Sequence, residues 1–203
     1  MRILSFYLLK WSEESSYILH ATHELDFISF FKRPFIKENL NFGARTAVTR
    51  MKPGERSFLE DNKEKAFRSY VEIQKNKLAV VIVFDQEYPA KTVLLISREI
   101  INEFNKIYTE KQLESATSDG NWSIPALETM IKKYQDPKEA DKLLKLQSEL
   151  QEVNRIMTRN FDEILKRGET LEMLMAKSKD VSNLSLGFYR KSKEANKTCC
   201  SLY

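Results

Sequence analysis

The chain has 203 residues, 42% of them hydrophobic, enough for one compact domain with an extension or for two small domains. Its 33 Lys and Arg nearly balance 29 Asp and Glu, leaving a net charge of +4 on a chain that is 31% charged. That balance argues against a nucleic-acid binder, which concentrates bases on one face, and leaves room for mild attraction to an anionic membrane. The two cysteines, Cys199 and Cys200, are adjacent and near the end, so they exclude a disulfide framework and a cysteine-rich metal site. Met1-Arg2 is followed by a short apolar stretch soon broken by Lys10 and Ser12, which is not the pattern of a secretory signal. The longest strictly apolar run, residues 78–84, falls far short of the roughly 20 residues of a spanning helix. The expectation is a chain made in the cytosol that reaches membranes by other means.

Residues 3–11 (ILSFYLLKW) and 15–21 (SSYILHA) read as two strands joined through Glu13-Glu14 as a hairpin. Phe27, Phe30, Phe31, Phe35, Leu40 and Phe42 then recur at helical spacing to about Arg50, with Pro34 interrupting the helix or opening a second turn. After the Pro53-Gly54 turn, three strands are predicted over residues 56–60, 66–73 and 78–84, with tight turns at Asn62-Lys63 and Lys75-Asn76. The last of these, LAVVIVF, is apolar on both faces and suits a central strand covered on both sides. Val93, Leu94, Ile96, Ile100, Ile101, Phe104 and Ile107 form the stripe of an amphipathic helix ending near Tyr108. A polar loop at residues 117–120 leads to a short helix over 126–134. The order is that of a single mixed domain.

The phenylalanine-rich first helix (DFISFFKRPFIKENLNF) and the strand-to-helix junction IVFDQEYPAK resemble the longin domain, a module found at the N-terminus of one group of SNAREs. The resemblance implies an α+β longin (profilin-like) domain over residues 1–135, a mixed five-stranded sheet with helices on both faces. Phe42 has two readings: a core residue of the first helix, or part of a hydrophobic face able to receive a helix or a lipid chain.

After Asp136-Pro137 the texture changes. Leu143, Leu146, Leu150, Val153, Met157, Asn160, Ile164, Arg167, Leu171, Leu174, Ser178, Val181, Ser185 and Phe188 follow one another in steps of three and four, a heptad seam continuing to Ala195. That narrow seam is the mark of a helix that wraps other helices. Arg167 interrupts its apolar run between Ile164 and Leu171, and a buried guanidinium left without acceptors costs about 3–5 kcal/mol. A homodimer would stack the arginines on each other, so a hetero-assembly supplying acceptors is the better solution. Gly168 and Gly187 each cost roughly 1 kcal/mol of helix propensity, so the isolated segment is expected to be poorly helical and to fold on meeting its partners.

The run NFDEILKRGETLEMLMAKS resembles the SNARE motif of the R class. By that resemblance residues 136–197 form an α-helical coiled-coil segment in which Arg167 faces glutamines from three glutamine-type SNARE helices. Met157, Asn160, Ile164, Leu171, Leu174 and Phe188 would be flanking layers. The remaining residues, 198–203, end in Cys200-Ser201-Leu202-Tyr203, which has the C-a-a-X form for prenylation of Cys200, with Cys199 beside it for palmitoylation. Tyr203 departs from the usual terminal residues of that form. One lipid chain anchors marginally and two anchor stably.

Together these features resemble the prenylated longin R-SNARE family. The resemblance implies membrane fusion in vesicle traffic, with no cofactor beyond covalent prenyl and palmitoyl lipids and no metal or nucleic acid. It also implies an intramolecular contact between longin domain and SNARE segment, a cytoplasmic pool, and the cytoplasmic face of Golgi, endosomal or vacuolar and vesicle membranes. A lipid-anchored coiled-coil tether or adaptor that does not drive fusion is the alternative. Enzymatic readings find little support: there is no phosphate-binding glycine loop, and His20 and His23, on opposite faces of a strand and its exit, do not make a metal pair.

Overall fold

The computed structural model describes residues 1–60, 67–136, 139 and 155–198, with side chains to residue 191. Within them the chain forms two compact units, one of residues 1–24 and 44–164, the other of residues 25–43 and 165–203.

The first unit is built on strands β1 (Ile3–Lys10), β2 (Tyr17–His23), β3 (Arg56–Glu60), β4 (Phe67–Ile73), β5 (Leu78–Asp85) and β6 (Thr158–Asn160), in sheet order β2-β1-β5-β4-β3-β6. Its helices are the second part of α1 (Arg33–Arg50), α2 (Ala90–Ile107), α3 (Glu110–Ser115) and α4 (Pro125–Lys133). Gly54, at φ +88°, takes the left-handed conformation that the turn into β3 requires and that a side chain would strain.

The two-sided apolar strand sits centrally, as its composition demands. In β1 and β5, Phe6 pairs with Ile82 and Leu8 with Val80 on one face, while Tyr7 pairs with Val81 and Leu9 with Ala79 on the other. All eight are buried. The first face shares a core with Ile96, Ile100 and Phe104 of α2 and with Leu127 and Ile131 of α4. In the second part of α1, Ala44, Ala47, Val48 and Met51 are buried. The Trp11 indole donates to the Met51 carbonyl at 2.7 Å and the Ser16 amide to Thr49 Oγ1 at 3.0 Å, tying α1 to the β1–β2 hairpin.

Two features depart from the expected architecture. The sheet has six strands, not five: β6 runs parallel to β3, with Phe58 against Thr158 and Glu60 against Asn160. The Phe58 amide donates to the Met157 carbonyl at 3.0 Å and Ser57 Oγ to the same oxygen at 2.9 Å. An open strand edge needs partners for its backbone, and here a piece of the heptad segment supplies them. The second departure is α3, over residues to which no element had been assigned, ahead of the polar loop at residues 117–120. A capping box starts it: Thr109 Oγ1 accepts from the Gln112 amide while the Gln112 side chain accepts from the Thr109 amide.

The β2 edge is covered as well. The polar loop lies along it, with the amides of Gly120 and Trp122 donating to the carbonyls of Ile18 and Leu19 at 2.9 Å each. Asp119 Oδ1 accepts from the Ile18 amide at 2.9 Å, and both its oxygens accept from the Arg45 guanidinium at 2.9 Å. Arg45, 8% exposed, also donates to the Ser16 carbonyl.

Removing Asp119 therefore takes the carboxylate from a buried guanidinium, which keeps its bond to the Ser16 carbonyl. Because the Asp119 side chain is itself 39% exposed, the expected cost of Asp119→Ala is toward the low end for such a pair, about 2–3 kcal/mol. Urea unfolding should show it as a lower midpoint at unchanged slope.

Candidate functional site

The heptad segment is not one helix in this structure. Met157 precedes β6, Asn160 closes that strand, and Ile164 ends a 3-10 turn, Phe161–Ile164. Arg167 lies in a turn in the second unit, where the Lys166 amide donates to the Glu169 carboxylate at 3.0 Å. Gly168 adopts φ +86° there, a conformation that stops a helix and that glycine tolerates best. The Arg167 side chain is exposed. Leu143, Leu146, Leu150 and Val153, with Cys199 and Cys200, lie outside the described residues.

From Thr170 the segment re-forms as two helices, α5 (Leu171–Lys177) and α6 (Asn183–Thr198). Thr170 Oγ1 accepts from the Met173 amide at 3.2 Å, the N-cap that a threonine before a leucine-rich run predicts. Ser182 Oγ accepts from the Ser185 amide at 3.2 Å at the start of α6. Arg190 of α6 and Glu172 of α5 form an ion pair at 2.7 Å.

The first half of α1 belongs to this same unit and meets both helices. Phe42, 5% exposed, forms a cluster with Met175 of α5 and Leu186 of α6, and Leu171, Leu174, Val181 and Tyr189 pack around it. Phe35 and Phe188 stack, their ring centroids 5.9 Å apart and planes 12° from parallel. Glu38 Oε2 accepts from the Ser182 amide at 2.8 Å, where a carboxylate also complements the N-terminus of α6. Burial works against ionisation of Glu38, but hydrogen bonds from Ser185 and from the Ser182 amide and hydroxyl outweigh it. They hold the carboxyl below its usual range.

Of the predicted residues, this brings together Phe42, Leu171, Leu174 and Phe188. It keeps Met157, Asn160 and Ile164 in the other unit and Arg167 in solvent. Phe42 is buried and packed by helices from the heptad segment. Missed were Met175 and Leu186, which lie beside the seam rather than on it, and Glu38. The available signal was the pair of large apolar residues left over once the seam is assigned.

The histidines serve the first unit. The His20 ring shares hydrogen bonds with the Trp122 carbonyl at 2.8 Å and Thr22 Oγ1 at 2.7 Å, and burial lowers its pKa. His23 bonds Ser5 Oγ at 2.8 Å. Among the described residues no helix is long and apolar enough to cross a membrane, and no acidic, histidine or cysteine group could hold a metal.

Comparison with known proteins bears on the same segment. The synaptobrevin family model matches residues 142–201. The chain is 34% identical to the VAMP-like protein YKT61 of Arabidopsis thaliana, over the full length of both. It is 32% identical to the synaptobrevin homolog ykt6 of Schizosaccharomyces pombe over 98% of each chain. The synaptobrevin homolog YKT6 of Yarrowia lipolytica is 28% identical, again over the full length of both. This chain therefore belongs to the longin-type R-SNARE family of which these synaptobrevin homologues are members. It is a SNARE of vesicle traffic, a class that works with SNARE partner helices by assembly and not by catalysis.

The Glu38 contact carries a sign. A carboxyl with a depressed pKa stabilises its folded form above the unfolded value of 4.5 and loses that contribution as pH falls through the folded value. The Ser182 amide resonance should thus hold its hydrogen-bonded position as pH falls past the ordinary carboxyl range and move upfield only below it. In Glu38→Gln the same resonance should not titrate.

Proposed function

We propose that this R-SNARE drives fusion of vesicle and target membranes by contributing residues 136–197 as one helix of a four-helix bundle with three glutamine-type SNARE helices. Arg167 is the polar layer of that bundle, and Met157, Asn160, Ile164, Leu171, Leu174 and Phe188 are layers on either side. Before assembly the α1 face around Phe42 holds the segment back. A prenyl group on Cys200 and a palmitoyl group on Cys199 anchor the chain to the cytoplasmic face of Golgi, endosomal or vacuolar and vesicle membranes. A cytoplasmic pool holds the closed form, and no other cofactor is needed.

The observation that carries this reading is the packing of Leu171, Leu174 and Phe188 within the chain. Their spacing puts them on the heptad seam, and here they pack with Phe42 or Phe35 of the same chain. One set of side chains cannot face α1 and partner helices at once, so release from α1 has to precede bundling. The exposed position of Arg167 agrees: a guanidinium waits in water at little cost until acceptors surround it.

Because Met175 and Leu186 belong to the folded-back cluster but not to the seam, the two states can be separated. Met175→Asp and Phe42→Glu should enlarge the hydrodynamic radius and speed assembly with glutamine-type SNAREs. Leu171→Asp and Arg167→Leu should impair the assembled complex. Equal assembly by Leu171→Asp, Arg167→Leu and wild type would remove the bundle reading. The anchor is checked by mass spectrometry of the C-terminal peptide from native cells: the expected result is a prenylated Cys200 without the last three residues.

A further inference from the structure

Ahead of α1, and away from the cluster just described, the second unit displays two phenylalanines in water. Phe30 is 75% and Phe31 81% exposed, on a 3-10 turn (Phe30–Lys32), their rings edge to face at 5.9 Å. Single exposed apolar side chains need no explanation, but two consecutive aromatic rings do.

The turn is braced. The Arg33 guanidinium donates to the carbonyls of Asp26 and Ile28 at 3.0 and 2.9 Å and pairs with the Asp26 carboxylate at 2.9 Å. The amides of Ile28 and Lys32 donate to the carbonyls of Leu25 and Ser29, and Leu25 is 4% exposed. Pro34 sets the first turn of α1. Asp26 is committed to Arg33, and Lys32, next to Phe31 in the chain, and Lys37, in the first turns of α1, are both exposed.

We propose that Phe30 and Phe31 form a wedge that enters the interface of an anionic phospholipid membrane, with Lys32 and Lys37 on its headgroups. Two chemical requirements meet here: aromatic rings that partition at the boundary of headgroup and acyl chain, and cations that an anionic leaflet attracts. A second protein is the poorer occupant. A stable protein interface buries about 800 Å² on each partner, well beyond what two rings and their flanking lysines provide, whereas a bilayer accepts a small wedge. The contact needs no covalent lipid, so it stands or falls separately from the anchor at Cys199 and Cys200.

The test uses the full chain made in bacteria, free of lipid, with sedimentation on vesicles of phosphatidylcholine alone or with about 30% phosphatidylserine. Binding is expected to the anionic vesicles, to weaken with salt, and to fall about tenfold in Phe30→Ser/Phe31→Ser and in Lys32→Glu/Lys37→Glu. Both double variants change exposed side chains, so their melting temperatures should match wild type. In Phe31→Trp, indole emission should shift blue on anionic vesicles and be quenched by brominated lipid. Wild-type sedimentation no greater than that of the serine double variant would overturn the proposal, as would a Phe31→Trp emission, less that of wild type with its Trp11 and Trp122, that vesicles leave unshifted. Self-association abolished by the serine double variant, with no vesicle binding, would assign the rings to a second copy instead.

Discussion

Leu171, Leu174 and Val181 stand on a seam whose apolar side chains water will not hold in a row, and the arrangement of the second unit follows from where they find cover. In a continuous helix they would need neighbouring helices. Here the segment breaks at Gly168, restarts at two N-caps, and lays α5 and α6 against the first half of α1. Each break is chemically marked: glycine where φ is positive, threonine and serine where helix amides need acceptors. The segment thus carries the punctuation of a folded-back form within the spacing of a coiled coil.

Magnitudes favour a reversible arrangement. The cluster of Phe42, Met175 and Leu186 buries three large side chains, a gross gain of about 5–9 kcal/mol before ordering entropy. A full seam carries some ten apolar layers, about 15–30 kcal/mol on the same scale. Partner helices can therefore outcompete α1 in the proposed cycle. A partner shifts such an equilibrium only by its preference for the open form, and in the proposed cycle that preference would come from seam residues that exchange α1 for partner helices.

The longin-type domain was legible because its signals are local. LAVVIVF is apolar at every position, which suits a strand buried on both faces, and it lies third in the sheet. Ile96, Ile100 and Phe104 recur at helical spacing and face the core as that spacing requires. Ile107 continues the same pattern but is 47% exposed, because the helix ends with it and the core lies behind. Phe27, Phe30 and Phe31 looked like the opening of a helical stripe. They precede the helix instead, in a turn braced by Arg33, and periodicity cannot tell a stripe from aromatic residues held outward by a loop.

Spacing along the chain determined the strands of the hairpin and sheet, the amphipathic α2, the heptad seam and the place of Arg167 within it, because each depends on neighbours a few residues away. Only the tertiary structure decided that Thr158–Asn160 joins β3 as a sixth strand and that Met175 and Leu186 meet Phe42. A strand edge and a helix face offer hydrogen-bond and apolar surface to any segment that reaches them. Which segment takes the place depends on competition across a hundred residues of chain, and local pattern holds no record of that.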